Sequence, residues 1–140
     1  MKNPNWIEID KDPNPGSYFV AMAQAFPILA KELDYWEEEL VHCKMEVLAR
    51  YAVAQIEKGN KEEVIRCFQF QEQHIDSFGL TLKNALYVSF CATLLLEPPK
   101  HLLQETRELM GENLKAYYDE YEEYYHKLFG AEDEENSQIM

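Results

Sequence analysis

The stretch LKNALYVSFCATLLL, at residues 82–96, decides the fold of this 140-residue chain. Apolar side chains occupy most sides of its helical wheel, which is typical of a helix surrounded by other helices. Pro98 and Pro99 follow it and end the helix, because proline lacks a backbone N–H and its ring clashes with the preceding turn. We therefore expect residues 82–96 to form the central helix of a bundle.

The segment before this helix shows the three- and four-residue spacing of a helix from Ser17 onward, through Tyr18 and Met22. Pro27 ends that helix and opens a short amphipathic piece that extends to Leu33. Asp34 and Glu37 then have the spacing of a capping box, which predicts a long helix from there to about Lys58. Gly59 supplies its left-handed stop.

A second capping box, formed by Asn60 and Glu63, predicts the start of the next helix. Gly79 marks the end of that helix, and Thr81 is the expected cap of the central one. The inward stripe of the helix that begins at Asn60 is Val64, Phe68 and Ile75.

Two more helices are predicted after the proline pair. The first runs from about Lys100 to Met110 and stops at Gly111, and the second runs from Glu112 to Phe129 before Gly130. The apolar positions of the last helix that follow helical spacing are Leu114, Tyr117, Tyr121, Tyr124 and Leu128.

These elements predict an all-α protein, a compact single domain of about five to six helices stacked as hairpins. The domain spans residues 17–130. Residues 1–16 carry three prolines and a glycine and are expected to form an irregular arm. Residues 131–140 are acidic with little apolar content and are expected to form a disordered tail.

The charge balance limits the choice of partners. Twenty-six acidic side chains oppose 13 basic ones, a net charge of −13 without a basic cluster, which argues against nucleic acid and anionic membranes as partners. A protein with a basic surface fits better, because opposite charges speed association. The sequence begins without an apolar stretch of signal-peptide length, so a cytoplasmic location is expected.

The chain offers little for catalysis, and we expect neither an enzyme nor a cofactor. Ser89 and Cys91 lie in the most buried helix without a histidine nearby in sequence, and the glycines occur singly, as helix stops rather than as a phosphate loop. The three cysteines (Cys43, Cys67 and Cys91) are unpaired in spacing and are expected to be buried, reduced thiols.

Two carboxylate–histidine pairs with a three-residue spacing, Glu39 with His42 and Glu123 with His126, invite comparison with di-iron bundles. Both pairs project away from the predicted apolar stripes, and such pairs arise readily in a chain with this many acids. We expect no metal site, although a metal-dependent bundle stays a third hypothesis that metal analysis would test.

Tyrosines and acids alternate in the last helix, and five tyrosines cannot all face one core stripe. Tyr118 and Tyr125 lie one helical repeat apart on an edge that includes Glu122, which is typical of a surface that recognises a protein bearing Lys and Arg. The alternative is that these tyrosines wrap the boundary of the core. A second candidate patch has the same composition and comprises Tyr35, Trp36 and Glu38.

Three short motifs carry a resemblance to a known family: MEVLARY at residues 45–51, FQFQE at 68–72 and NALYVSF at 84–90. With the Gly59-Asn60 turn and the closing Met110-Gly111 turn, they resemble small bacterial helical proteins of unassigned function over roughly residues 26–129. Relatives tend to have Leu-Glu where this chain has Cys91 and Ala92.

The resemblance implies an immunity protein, because members of this kind look like proteins that neutralise toxins of interbacterial competition. The leading hypothesis is therefore a non-enzymatic protein that blocks the active cleft of a cognate toxin with an acidic, aromatic face. It is expected to be a monomer or a weak homodimer. The alternative is a helical adaptor or regulator that binds another cellular protein.

Overall fold

The structure is a computed structural model that describes residues 15–130. Regular structure in these residues is helical, which confirms the all-α prediction. The first half contains α1 (Pro15–Ala25), a 3-10 turn (Pro27–Leu29), α2 (Ala30–Tyr35), α3 (Val41–Lys58) and α4 (Lys61–Ile75).

The second half begins with α5 (Leu80–Ala85), a π segment (Leu86–Cys91) and α6 (Ala92–Leu96), whose junctions keep helical backbone angles. A 3-10 turn (Lys100–Leu102) and α7 (Leu103–Glu108) follow. The last element is α8 (Glu112–Tyr125), which continues as a π turn (His126–Gly130).

The continuous helix at residues 80–96 is the centre of the molecule, as predicted. Helices α3 and α8 both pack along it, so it is covered from two sides. Its inward side chains Leu86, Phe90, Cys91 and Leu94 have no exposed surface. We call residues 80–96 the central helix from here on.

The rest of the core lies between α1, α3 and α4. Met22, Phe26, Met45 and Phe68 are almost fully buried there. The Tyr18 hydroxyl donates a hydrogen bond to the Gln71 side-chain oxygen inside this core, and burial raises the pKa of Tyr18. Both polar groups are thereby satisfied, which a buried position requires.

The prediction of one long helix from Asp34 to Lys58 is wrong. Helix α2 ends at Tyr35, Trp36 takes an extended conformation (φ −86°, ψ 138°), and α3 begins only at Val41. Leu33 packs into the core from α2 and Val41 from α3. The chain must change direction to bury both, and this tertiary packing overrides the local capping signal.

Other predicted boundaries shift by a few residues. Helix α1 begins at Pro15, before the predicted Ser17, so the end of the predicted arm is helical; residues 1–14 and 131–140 lie outside the described part. Helix α4 ends at Ile75 rather than at Gly79. The predicted cap Thr81 is also wrong, because α5 already begins at Leu80 after an extended Gly79.

The stop at Gly59 is confirmed and has the expected geometry. Gly59 has φ 75°, the left-handed region that glycine enters without a steric cost. Helix α4 starts after Asn60 as predicted. The Asn60 side chain does not cap the helix, however, because it donates a hydrogen bond to the Gln55 side-chain oxygen at 3.0 Å. None of the helices in residues 15–130 is both long and apolar enough to cross a membrane.

Candidate functional site

The beginning of α8 is held by a carboxylate from α4. Oε2 of Glu72 accepts the backbone N–H of Asn113 at 2.9 Å, and Oε1 accepts that of Leu114 at 3.0 Å. Gly111 makes room for this, because a Cβ there would lie 2.5 Å from Cδ of Glu72. The FQFQE motif and the Met110-Gly111 turn therefore form one helix cap.

The first half of α8 faces the core. Leu114 is fully buried and Tyr118, one turn later on the same face, is 2% exposed. The prediction that Tyr118 lies on an exposed edge is wrong: Tyr118 itself forms the inward stripe with Leu114. Burial raises the pKa of Tyr118 to about 12.

The second half of α8 and the π turn after it are less covered by the core, although Tyr121 and Tyr125 still pack against it. Tyr124, Leu128 and Phe129 are each about half exposed (46–54%). Tyr124 and Tyr121 pack against Tyr87 of the central helix, with ring centroids 6.2 and 5.3 Å away. The aromatic cluster therefore joins the end of α8 to the outer side of the central helix.

A cleft of about 400 Å³ lies between the end of α8 and the segment that follows the central helix, and we call it the C-terminal cleft. It brings together two of the predicted binding residues, Glu122 and Tyr125, whereas the buried Tyr118 does not line it. Sequence reasoning missed the other wall, which the proline-containing turn supplies. The lining residues are Leu95, Leu96, Pro98, Lys100, Leu103, Glu122, Tyr125 and His126.

The charges around the cleft are partly paired. Nε2 of His126 lies 3.9 Å from Oε2 of Glu122. Arg107 of α7 donates two hydrogen bonds to Asp119 of α8, at 2.6 and 2.7 Å, which lowers the pKa of Asp119. The Glu122 carboxylate also acts on Arg107, so Glu122 lies within electrostatic range of that ion pair.

The second predicted patch is separate from the cleft. Tyr35 is 76% exposed and stands edge-on to the half-buried Trp36, with ring centroids 5.1 Å apart. Glu38 is exposed and lines a shallow cavity of about 250 Å³ with Phe19 of α1 and Lys44 of α3. This cavity shares no lining residue with the C-terminal cleft.

A histidine that is distant in sequence lies next to Ser89 in the structure. Nδ1 of His42 is 2.7 Å from Oγ of Ser89, across 47 positions that sequence proximity could not bridge. A serine beside a base is the arrangement that activates nucleophiles. Ser89 keeps only 4% of its surface, and the contact joins α3 to the π segment.

The carboxylate–histidine pairs do not assemble into a metal site. Across residues 15–130, no group of three or more His, Cys, Asp or Glu side chains is placed to hold a metal ion. Glu123 pairs with Lys127 rather than with His126, at 3.6 Å.

The cysteines are free thiols, and two of the three are buried as predicted. Burial raises the pKa of Cys67 to about 12 and also raises that of Cys91. Cys43 is partly exposed, so the prediction of three buried thiols is wrong at this position. It lies in the first turn of α3, where the helix is not yet covered on all sides.

Comparison with known families places the chain in a family. The model described as "Domain of unknown function (DUF7674)" matches residues 19–126, so the chain belongs to this family. The match runs from α1 into the π turn after α8 and includes every lining residue of the C-terminal cleft. No curated protein and no solved structure matches the chain significantly.

Proposed function

We propose that this chain is a non-enzymatic, cytoplasmic immunity protein that binds and neutralises a cognate bacterial toxin. The C-terminal cleft and the exposed end of α8 are the binding surface in this proposal. The surface covers the toxin's active cleft and keeps substrate out. The observation that carries the proposal is the gathering of exposed aromatic and aliphatic side chains with carboxylates at one end of the molecule.

The aromatic side chains at this end are unusual for a surface without a partner. Leu96, Leu128 and Phe129 are each about half exposed, and the Tyr125 ring packs at a tilt against Phe129 with ring centroids 4.9 Å apart. Contiguous exposed apolar groups rimmed by polar ones mark interaction sites. Amphipathic tyrosines are also enriched among the residues that dominate binding energy.

The charge supports a basic partner. The whole chain has a net charge of −13. Glu122 lines the cleft, and Glu123 is the next residue of α8. Attraction between this surface and a basic one speeds association and weakens as salt rises. A toxin whose active cleft binds an anionic substrate would present such a surface.

The experiment is capture followed by rescue. The tagged protein is used to isolate partners from its native cells at low and moderate salt, beside a Leu96→Glu variant and a matched control, Leu80→Glu, whose leucine is 56% exposed but outside the cleft. Each stoichiometric partner that the wild type retains is then expressed alone and together with the wild type, Leu96→Glu or Leu80→Glu.

The proposal expects that the partner alone halts growth and that co-expression of the wild type and of Leu80→Glu restores it, whereas Leu96→Glu does not. A captured partner that is harmless when expressed alone overturns the immunity role and supports an adaptor. A toxic partner that all three proteins neutralise equally keeps the immunity role and moves the binding surface elsewhere.

A further inference from the structure

The C-terminal cleft has the size and the lining to bind an apolar side chain. Its volume of about 400 Å³ falls within the roughly 300–1,000 Å³ of protein ligand pockets. Leu95, Leu96, Pro98, Leu103 and the Tyr125 ring provide apolar walls. Leu96 is 51% exposed, so a partner group that fills the cleft would remove apolar surface from water.

The segment that contains most of the cleft lining has an excess of acidic residues. Residues 97–129 contain eight acids and four Lys or Arg residues. Two of those four cations are already engaged, Arg107 with Asp119 and Lys127 with Glu123. The cleft lining itself contains Lys100 and His126 beside Glu122. Nε2 of His126 lies 3.9 Å from Oε2 of Glu122, a distance that leaves the carboxylate able to accept a closer donor.

We propose that the C-terminal cleft binds a basic amphipathic segment of a partner protein, an apolar anchor side chain flanked by Lys or Arg. The anchor lies between Leu96 and Tyr125, and a flanking cation pairs with Glu122. This inference rests on the proposed function in taking the cleft as the binding surface. It adds the chemical class of the segment that occupies it.

The charge of the chain argues against the other simple occupants. A second copy would bring another net charge of −13 against the same acidic end, which opposes self-association. An anionic lipid surface is repelled for the same reason. A cationic segment with one large apolar side chain satisfies both the apolar walls and the carboxylates.

The test is an unbiased selection of peptides. Phage-displayed random 12-residue peptides are selected on the immobilised full chain, and enriched peptides are then synthesised and their Kd values measured. The variants are Leu96→Glu, Tyr125→Ala and Glu122→Gln, with Leu80→Glu as the control. Circular dichroism melts identify any variant that is unfolded. If either Leu96→Glu or Tyr125→Ala does not fold, the other still tests the cleft.

The proposal expects enriched peptides with an aromatic or long aliphatic residue between lysines or arginines. Leu96→Glu or Tyr125→Ala should weaken binding by about tenfold or more, which corresponds to about 1.4 kcal/mol. Glu122→Gln should weaken it by less and flatten its salt dependence. Leu80→Glu should bind like the wild type.

Three outcomes overturn the proposal: no enrichment, enrichment of acidic or uncharged peptides, or binding that ignores both cleft variants. Self-association in analytical ultracentrifugation that Leu96→Glu abolishes also overturns it, since a second copy would then be the occupant. Peptide binding without rescue from a toxin would refute only the immunity role. Toxin neutralisation that is insensitive to Leu96→Glu would refute only the cleft.

Discussion

The two ends of α8 have similar composition but opposite surroundings. At the first end, Glu72 caps the backbone, and Leu114 and Tyr118 are buried against the central helix. At the other end, Tyr124 and the following π turn expose about half of their large side chains. The comparison teaches that a tyrosine in this helix is structural or available for binding according to its position along the axis.

The strongest test of this difference compares two tyrosine truncations. Tyr118→Ala should lower the free energy of unfolding by about 3–5 kcal/mol, because it opens a cavity in the core. Tyr124→Ala should lower it by only about 1 kcal/mol, since its ring is half exposed and packs against Tyr87 and Tyr121. Urea unfolding followed by circular dichroism measures both.

Equal losses for the two variants would show that the exposed end of α8 is also part of the cooperative core. It could not then be treated as a free binding surface. Because Tyr118→Ala is expected to destabilise the fold, a loss of partner binding in that variant would not identify a contact. Tyr125→Ala is the informative variant for binding.

The cap at the first end predicts a smaller, coupled effect. Glu72→Ala and Gly111→Ala should each cost about 1–2 kcal/mol of unfolding free energy, the first by removing the acceptor and the second by displacing it. The double variant should cost clearly less than the sum, because both changes remove the same two hydrogen bonds. Glu72→Gln should retain part of the cap.

A strictly additive cycle would contradict this account of the cap. It would mean that the two residues act independently, so that Gly111 does not act by leaving space beside Glu72, since its backbone (φ −74°, ψ 173°) suits any residue. The same urea unfolding measurement on the four proteins decides between the two.

Acidification should weaken the fold through two paired carboxyls. Arg107 lowers the pKa of Asp119, and Arg66 followed by Tyr51 lowers that of Glu63. Both folded-state pKa values lie below the unfolded values of about 4. Their stabilisation is therefore fully present above the unfolded pKa and is lost as pH falls through the folded pKa.

Thermal melts between pH 7 and pH 2.5 should show this decline, and Asp119→Asn and Glu63→Gln should each reduce its slope. The Asp119 effect should be the smaller, because its side chain is 41% exposed against 20% for Glu63, and solvent screens exposed pairs. Unchanged slopes in both variants would show that other groups control acid unfolding.

The smallest expected effect concerns the thiols. Cys43 should react first with Ellman's reagent in the native protein, while Cys67 and Cys91 react only on unfolding, because they are buried and their pKa values are raised. Cys43→Ser is the control and should abolish the fast phase. A fast phase that persists in this variant would reveal opening of the core.

The sequence predicted those parts of the fold that one segment determines by itself. The run at residues 82–96 is apolar on most sides and could only be central, and Gly59 ends α3 through its own left-handed backbone. Asp34 and Glu37 were misleading, because the burial of Leu33 and Val41 on either side of them decides the local path. Such burial depends on contacts that no local pattern contains.

The candidate site was predicted in part for the same reason. Glu122 and Tyr125 were placed on the correct helix and line the cleft together. Tyr118 was assigned to the wrong face, since nine tyrosines in the chain blur the boundary between inward and outward stripes. Leu96 and Pro98 were interpreted only as the end of a helix. A run of leucines followed by two prolines could have indicated that an apolar side chain is exposed where this helix ends.

The contact between Glu72 and Gly111 has a consequence for the history of this family. Two positions 39 residues apart share one space, since any side chain at 111 would displace the carboxylate at 72. Related sequences should therefore exchange these two residues together. Once a larger residue replaces the glycine, the carboxylate at 72 can no longer cap the helix, and selection for an acid at that position should end.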